Sequence, residues 1–334
     1  MTRTRWTWAR LLGGAAILAL MLWRMGTGPF VDGLRTIDGW SLLVAAAIAV
    51  PTTVCSAWRW RLVAGGLGAS LPLRAAVASY YRSQFLNTTL PGGVLGDVHR
   101  GLRHGRDVGD AGRGLRSVAW ERLAGQLVQV VMATVVLLLL PSPVHSSMPF
   151  VAGVVVAVAV AAVLLARAVP RDGSSRAARA VRVATVDLRD GLLARRAGPG
   201  IVLASAGAVA GHAATLLVAA RTAGVTVSPV RMLPLALLVL LAMAIPANIA
   251  GWGPREGVAA WAFAAAGLGA AQGVATAVVY GVMVLVASLP GAGVLVLAGV
   301  HRDRRGLGGT DAPCADRTLS PPAGAARLED AARG

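Results

Sequence analysis

The chain has 334 residues, 56% hydrophobic and only 14% charged, with a mean hydropathy of +0.65. Soluble domains carry about 25% charged residues, and their surface helices need a polar face, so this composition excludes a soluble enzyme and points to an integral membrane protein. The net charge of +17 comes from 32 basic residues, all Arg. They lie between apolar runs rather than along one folded face, which argues for Arg-loaded loops at a membrane surface and against nucleic acid as the partner.

A membrane helix needs about 20 mostly apolar residues. At the N-terminus, Arg3, Arg5 and Arg10 precede an apolar run from Leu11 to Trp23. These are the flanks of a signal peptide, but no cleavage site leads into a polar mature domain, so an uncleaved first span is predicted at 9–25. The loop from Arg24 to Trp40 balances Arg24 and Arg35 with Asp32 and Asp38 and reads as external. A second span is predicted at 40–58, followed by a cytoplasmic turn holding Arg59, Arg61 and Arg74. The segment from Leu73 to Leu90 carries Tyr80, Tyr81, Arg82, Gln84 and Asn87 and ends at Pro91-Gly92-Gly93. It is too polar to face lipid. The stretch from Gly96 to Arg116 holds Arg100, Arg103, Arg106, Arg113 and Arg116 and reads as cytoplasmic. With cytoplasmic Arg on both sides, 73–95 is predicted to be re-entrant rather than spanning.

A span predicted at 117–140 completes the first half, and the second half repeats this order. It has a span predicted at 149–169, an Arg-rich cytoplasmic stretch at 170–198, and a further span at 199–220. The segment 232–268 is apolar but broken at Pro246, and the charge count makes it re-entrant from the outside, although Arg221 and Arg231 then run against the positive-inside rule. A last span is predicted at 271–299, and the Pro-, Gly- and Ala-rich tail at 301–334 is predicted to be disordered and cytoplasmic. The fold class is an all-α integral membrane protein of about six transmembrane helices and two re-entrant, broken helical elements. Its halves, about 9–140 and 149–299, form an inverted-topology repeat. Broken segments at matching positions of two halves mark a transporter's binding site.

Three clusters carry the candidate chemistry. Asn87, Pro91, Gly92, Gly93, Gly96, Asp97 and Arg100 surround the first break. Glycines let backbone approach a ligand, and exposed N–H groups there suit a phosphate. Arg100 would pair with the phosphate, and Asp97 would orient Arg100; the plainer alternative is a capped turn at the membrane surface. Glu121 and Arg122, with Gln126 one turn on, open a long apolar span, where charges are costly unless they pair or face the protein interior; a snorkelling interfacial pair is the alternative. Pro246, Asn248, Gly251, Gly253, Arg255 and Glu256 surround the second break, where the alternative is an internal salt bridge. His212 reads as a structural hydrogen-bonding residue. Trp6, Trp8, Trp23, Trp40, Trp58 and Trp60 read as interfacial belts. Cys55 and Cys314 have no metal or disulfide spacing. No Walker A, HExxH or GxSxG motif is present.

Asn87-Thr88-Thr89-Leu90-Pro91-Gly92-Gly93 with Gly96-Asp97 and Arg100, then Glu121-Arg122, then Ile245-Pro246 and Gly251-Trp252-Gly253-Pro254-Arg255-Glu256, together resemble the transmembrane, flippase-like domain of lysylphosphatidylglycerol synthases, over about residues 10–300. The resemblance implies a lipid-translocating domain. Full-length synthases add an aminoacyltransferase domain, for which the tail here is too short. The expectation is a flippase of the cytoplasmic membrane, both termini inside, without cofactor or metal, with anionic or lipid-linked molecules as its partners. In it, Arg100 and Arg255 bind the headgroup, and Asp97 and Glu256 orient them or take a proton or cationic headgroup. A partner synthase or a homo-oligomer stays open. The alternatives are a membrane-embedded transferase using Asp97, Glu121 or Glu256, and a non-transporting accessory subunit.

Overall fold

Long runs without charge, rich in Leu, Val and Ala, satisfy their backbone groups internally only as helices, and the regular structure of the described residues is entirely helical. A computed structural model describes residues 26–90, 93–168, 176–192, 197–244 and 253–297, with 19, 23 and 194. The helices in chain order are α1 (Gly28–Arg35), α2 (Gly39–Gly66), α3 (Leu73–Thr89), α4 (Leu95–Asp107), α5 (Ala111–Leu139), α6 (Met148–Ala168), α7 (Arg176–Val186), α8 (Gly198–Thr222), α9 (Pro229–Ala242), α10 (Pro254–Ala265) and α11 (Ala270–Ser288). A π-helical stretch, Asp187–Leu192, follows α7. All lie in one unit, Met1–Leu295; Val296–Gly334 is a second unit, of which only 296 and 297 are described.

Among the described residues, four helices are long and apolar enough to cross a membrane: Gly39–Gly66, Ala111–Leu139, Gly198–Thr222 and Ala270–Leu297. They coincide with the spans predicted at 40–58, 117–140, 199–220 and 271–299. The span predicted at 149–169 is α6, 21 residues long. The chain is therefore an all-α membrane protein. The first span at 9–25 and the tail at 301–334 lie outside the described residues, apart from isolated positions 19 and 23. Each half contains a long span, a pair of short helices joined by a break, and another long span: α2, α3/α4, α5, and then α8, α9/α10, α11.

Two loop assignments need correction. The stretch from Gly96 to Arg116 is not a loop: it holds α4 and the start of α5, so the first broken element runs from 73 to 107 rather than 73 to 95. Asp97, Arg100, Gly101 and His104 follow helical spacing and are buried together, while Arg106 points outward. Counting every Arg as a cytoplasmic marker merged buried and exposed members of one amphipathic helix. Likewise α2 continues past residue 58 to Gly66, so Arg59 and Arg61 are helical, with Arg59 buried and Arg61 exposed. The loop predicted at 24–40 also contains α1, whose Phe30 packs on Val274 and Val278 of α11.

Helix ends follow ordinary capping chemistry. Asp38 caps α2 by accepting from the Ser41 N–H at 2.8 Å, and Asp110 caps α5 by accepting from the Arg113 N–H at 2.9 Å. That N–H bond holds the Asp110 carboxyl below its usual range. Gly253 caps α10 with φ +127°, a backbone angle that glycine tolerates, and its N–H donates to Glu256 Oε2 at 2.6 Å.

Helix contacts in a membrane rely on small residues that let backbones approach. The contact of α2 with α8 does so most plainly. A Cβ at Gly211 would lie 2.0 Å from Thr52 Oγ1, and one at Gly207 would lie 3.0 Å from Cys55 Sγ. Gly211→Ala is therefore expected to push the helices apart at a cost of about 1–3 kcal/mol. Gly153→Ala on α6, where a Cβ meets nothing within 4 Å, should be neutral. Thermal unfolding of both purified variants in detergent checks this, and equal melting temperatures would rule out the close contact.

Candidate functional site

The first cluster closes into a buried ion network joining α2, α3, α4 and α5. Glu121 on α5 has no exposed side-chain surface. It accepts from Arg59 Nε at 2.8 Å and from Arg59 Nη2, from Tyr80 Oη at 3.0 Å and from Arg100 Nη2 at 2.9 Å. Arg100 also donates to Asp97 Oδ1 at 3.0 Å. Its guanidinium lies between two rings, 4.4 Å from the Trp60 centroid and 4.3 Å from that of Tyr80. These ring faces meet the cation where its Nε and Nη1 have no hydrogen-bond partner among the described residues. Trp60 is itself buried and donates to Ser117 Oγ at 3.1 Å.

The same network ties down the first break. Asp97 accepts from Ser83 Oγ at 3.0 Å and from Asn87 Nδ2 at 3.2 Å, and Asn87 Oδ1 accepts from the Gly96 N–H at 2.8 Å. A Cβ at Gly96 would lie 2.1 Å from the Ser83 carbonyl oxygen, so only glycine lets α4 start this close to α3. Asp97 also pairs with Arg122 Nη2 at 2.6 Å. Glu121 and Arg122 do not pair with each other, because each is taken by partners on other helices. Glu121 turns inward to Arg59 and Arg100, and Arg122 turns to Asp97 and a cavity.

That cavity, about 270 Å³, lies among α2, α3, α5, α8, α9 and α11. Arg122, Gln126 and Gln129 line it from α5, at the spacing of one helix face. Arg59, Gln84, Asn87, Thr88 and Gly93 line it on the first-half side, and His212, Thr215, Tyr280 and Ser288 on the other. Arg122 keeps 42% of its side chain exposed. His212 Nδ1 lies 3.3 Å from Tyr280 Oη, in keeping with a structural hydrogen bond, and its position on the cavity wall adds to that reading.

The second cluster is smaller. Arg255 donates to Glu256 Oε1 from Nε at 2.8 Å and from Nη2 at 2.5 Å, and both residues are buried. Arg255 lies 5.6 Å from the Tyr280 ring centroid. Its guanidinium packs where Gly281 has no side chain: a Cβ there would lie 2.5 Å from Arg255 Nη2. Arg59 meets Gly125 in the same way, 2.6 Å from the corresponding Cβ position.

Of the predicted site residues, Asn87, Gly93 and Arg122 line the cavity, while Asp97, Arg100 and Glu121 form the network beside it. Gly253, Arg255 and Glu256 form the separate capped pair. Pro91, Gly92, Pro246, Asn248 and Gly251 lie outside the described residues. Arg100 and Arg255, expected as headgroup ligands, do not line this cavity: Arg100 is held by Asp97 and Glu121, and Arg255 by Glu256. Asp97, Glu121 and Glu256 do not line it either. Arg59 and Gln129 belong to the site and were missed. Arg59 was hidden in an assumed loop, whereas Gln129 was visible as the next polar step after Arg122 and Gln126. Trp60, read as an interfacial belt residue, is a buried wall of the network.

Removing a buried partner leaves charge unpaired, at a cost of about 3–5 kcal/mol. Glu121→Gln is expected to destabilise the protein by about that amount, since Arg59 loses its counter-charge and Arg100 keeps only Asp97. The double variant Glu121→Gln/Arg100→Met should recover part of the loss. Melting curves in detergent check this, and a double variant less stable than Glu121→Gln would show that Arg100 is held by its rings rather than by Glu121.

No curated protein and no solved structure matches this chain. A family model described as lysylphosphatidylglycerol synthase TM region matches residues 7–291. That match covers both broken helix pairs, the ion network and the cavity, and the chain belongs to this family.

Proposed function

We propose that this protein carries a lipid with an anionic headgroup between the leaflets of the cytoplasmic membrane, holding the headgroup in the cavity against Arg122. One observation carries the reading. The network contains three guanidiniums, of Arg59, Arg100 and Arg122, against two carboxylates, of Asp97 and Glu121. One positive charge is left over, and the guanidinium with the most exposed surface is Arg122, which faces the cavity. A charge inside a membrane protein is costly unless something pairs with it, and a phosphate entering the cavity supplies that pair through charge-assisted hydrogen bonds.

The two broken helix pairs support movement. Residues flanking the breaks, Gly93 in the first half and Met243 and Ala244 in the second, line the cavity, an arrangement suited to alternating access by two halves of opposite orientation. Thr88 Oγ1 on α3 lies 3.3 Å from Ser288 Oγ on α11, so the first broken element touches the second half beside the cavity. Asp97, Glu121 and Glu256 are all engaged by arginines and none of the three lines the cavity, which favours carriage over a transferase that needs a carboxylate at its substrate.

The test is leaflet exchange of labelled phosphatidylglycerol in liposomes containing the purified protein. Wild type should accelerate exchange, Arg122→Ala should slow it at least about tenfold, and Gly153→Ala should match wild type. A folded Arg122→Ala variant that moves every anionic lipid tested at the wild-type rate would overturn the proposal.

A further inference from the structure

The cavity's lining narrows the headgroup beyond its phosphate. Two guanidiniums, of Arg59 and Arg122, face it, and among the described residues no carboxylate does. The segments joining the half-helices, 91–92 and 245–252, contain no Asp or Glu in sequence. A headgroup bearing an ammonium would therefore enter a cationic cavity whose nearest acid, Asp97, lies behind Arg122 and is already shared between Arg122 and Arg100, and like charges at short range in a poorly screened interior repel strongly. The remaining polar wall is neutral: it is made of amides, hydroxyls and the imidazole of His212.

Two of those amides stand out. Gln126 and Gln129 lie one and two turns beyond Arg122 on α5, and both line the cavity. The buried Oε1 of Gln126 has no hydrogen-bond partner among the described residues. Polar side chains within a membrane helix are unfavourable unless their hydrogen bonds are met. Amides both donate and accept, as do hydroxyl groups, so a row of them beside a cation suits a phosphate ester followed by a polyol. The cavity, about 270 Å³, falls just below the range of small-molecule pockets, about 300–1,000 Å³. That is the scale of a lipid headgroup.

Building on the headgroup site proposed above, we infer that the cavity selects a phosphodiester lipid whose headgroup is uncharged and rich in hydroxyls, such as a phosphoglycerol or phosphosugar, and rejects aminoacylated headgroups. Arg122 takes the phosphate, while Gln126 and Gln129 take the hydroxyls.

The test measures binding of short-chain lipids to the full chain in detergent by titration calorimetry. The probes are phosphatidylglycerol, a polyprenyl-phosphate-linked hexose, lysyl-phosphatidylglycerol, and phosphatidylethanol, which keeps the phosphodiester charge but has no hydroxyl. Phosphatidylglycerol or the hexose lipid should bind about tenfold more tightly than phosphatidylethanol, the scale of one or two hydrogen bonds, and lysyl-phosphatidylglycerol more weakly still. Whichever of the first two binds better identifies the lipid carrier of the same headgroup chemistry. In a folded Gln126→Leu/Gln129→Leu variant, the preference of phosphatidylglycerol over phosphatidylethanol should collapse towards one. Lysyl-phosphatidylglycerol binding as tightly as phosphatidylglycerol, or phosphatidylethanol matching it in the wild type, would overturn the inferred selectivity and leave the carrier reading standing. Failure of all four lipids to bind the folded protein would overturn both.

Discussion

Everything around the first break depends on one fully buried carboxylate. Glu121 receives donors from Arg59, Tyr80 and Arg100, and this fixes where α2, α3 and α4 stand relative to α5. A buried ion cluster gains little net stability over well-packed apolar residues, because desolvation consumes most of the attraction. It does impose geometry, because moving any one member away strands the others. Arg100 can be buried only because Asp97 and Glu121 accept from it and two rings cover it. Asp97 lies one turn before it on α4, and the close start of α4 against α3 is what lets Ser83 and Asn87 hold Asp97 in turn. The broken helix is thus held by its charges as well as by the apolar contacts of Leu73, Ala76 and Val77 with Ala57, Trp60 and Val118.

Glycine supplies the space this arrangement needs. Gly96 lets α4 start against the Ser83 carbonyl, and Gly125 lets the Arg59 guanidinium lie against α5. In the second half, Gly281 performs the same service for Arg255 on α11. In each half, then, an arginine lies on a glycine of the span that follows the broken pair. The halves differ in how that arginine is balanced. Arg255 has an adjacent Glu256, which also closes the N-terminus of α10. Arg59 shares Glu121 with Arg100, and it is in this half that the positive charge is left over and reaches the cavity.

The membrane class and the long spans were legible from apolar run length alone, since a helix must shield its backbone across the bilayer. The two breaks were legible from Pro and Gly between short apolar pieces, and the family from the motifs around them. Charge counting failed at Arg59 and Arg100 because it gives one meaning to every arginine, whereas these two are buried by partners distant in sequence, such as Glu121 for Arg59. Trp60 failed for the same reason: an aromatic near a predicted span end has two plausible fates, and only the position of Ser117, His104 and Arg100 around it decides. The pairing of Asp97 with Arg100 was readable from their spacing of three. That Arg122 pairs with Asp97 rather than with Glu121 needed the fold.

Asp97 also bears on how a bound headgroup would leave. A carrier site must hold its cargo and then release it, and an unopposed guanidinium in the protein interior would hold a phosphate too firmly. Arg122 is not unopposed: Asp97 Oδ2 already lies 2.6 Å from its Nη2. A phosphate must therefore compete with Asp97, so only part of its attraction to Arg122 appears as net binding. The displaced carboxylate keeps partners in Ser83, Asn87 and Arg100, and it is not stranded in the interior. Those partners belong to α3 and α4, so loosening Asp97 from α5 would act on the broken helix itself. In the proposed role, occupation of the cavity and movement of the first break are linked through a single carboxylate shared between two arginines.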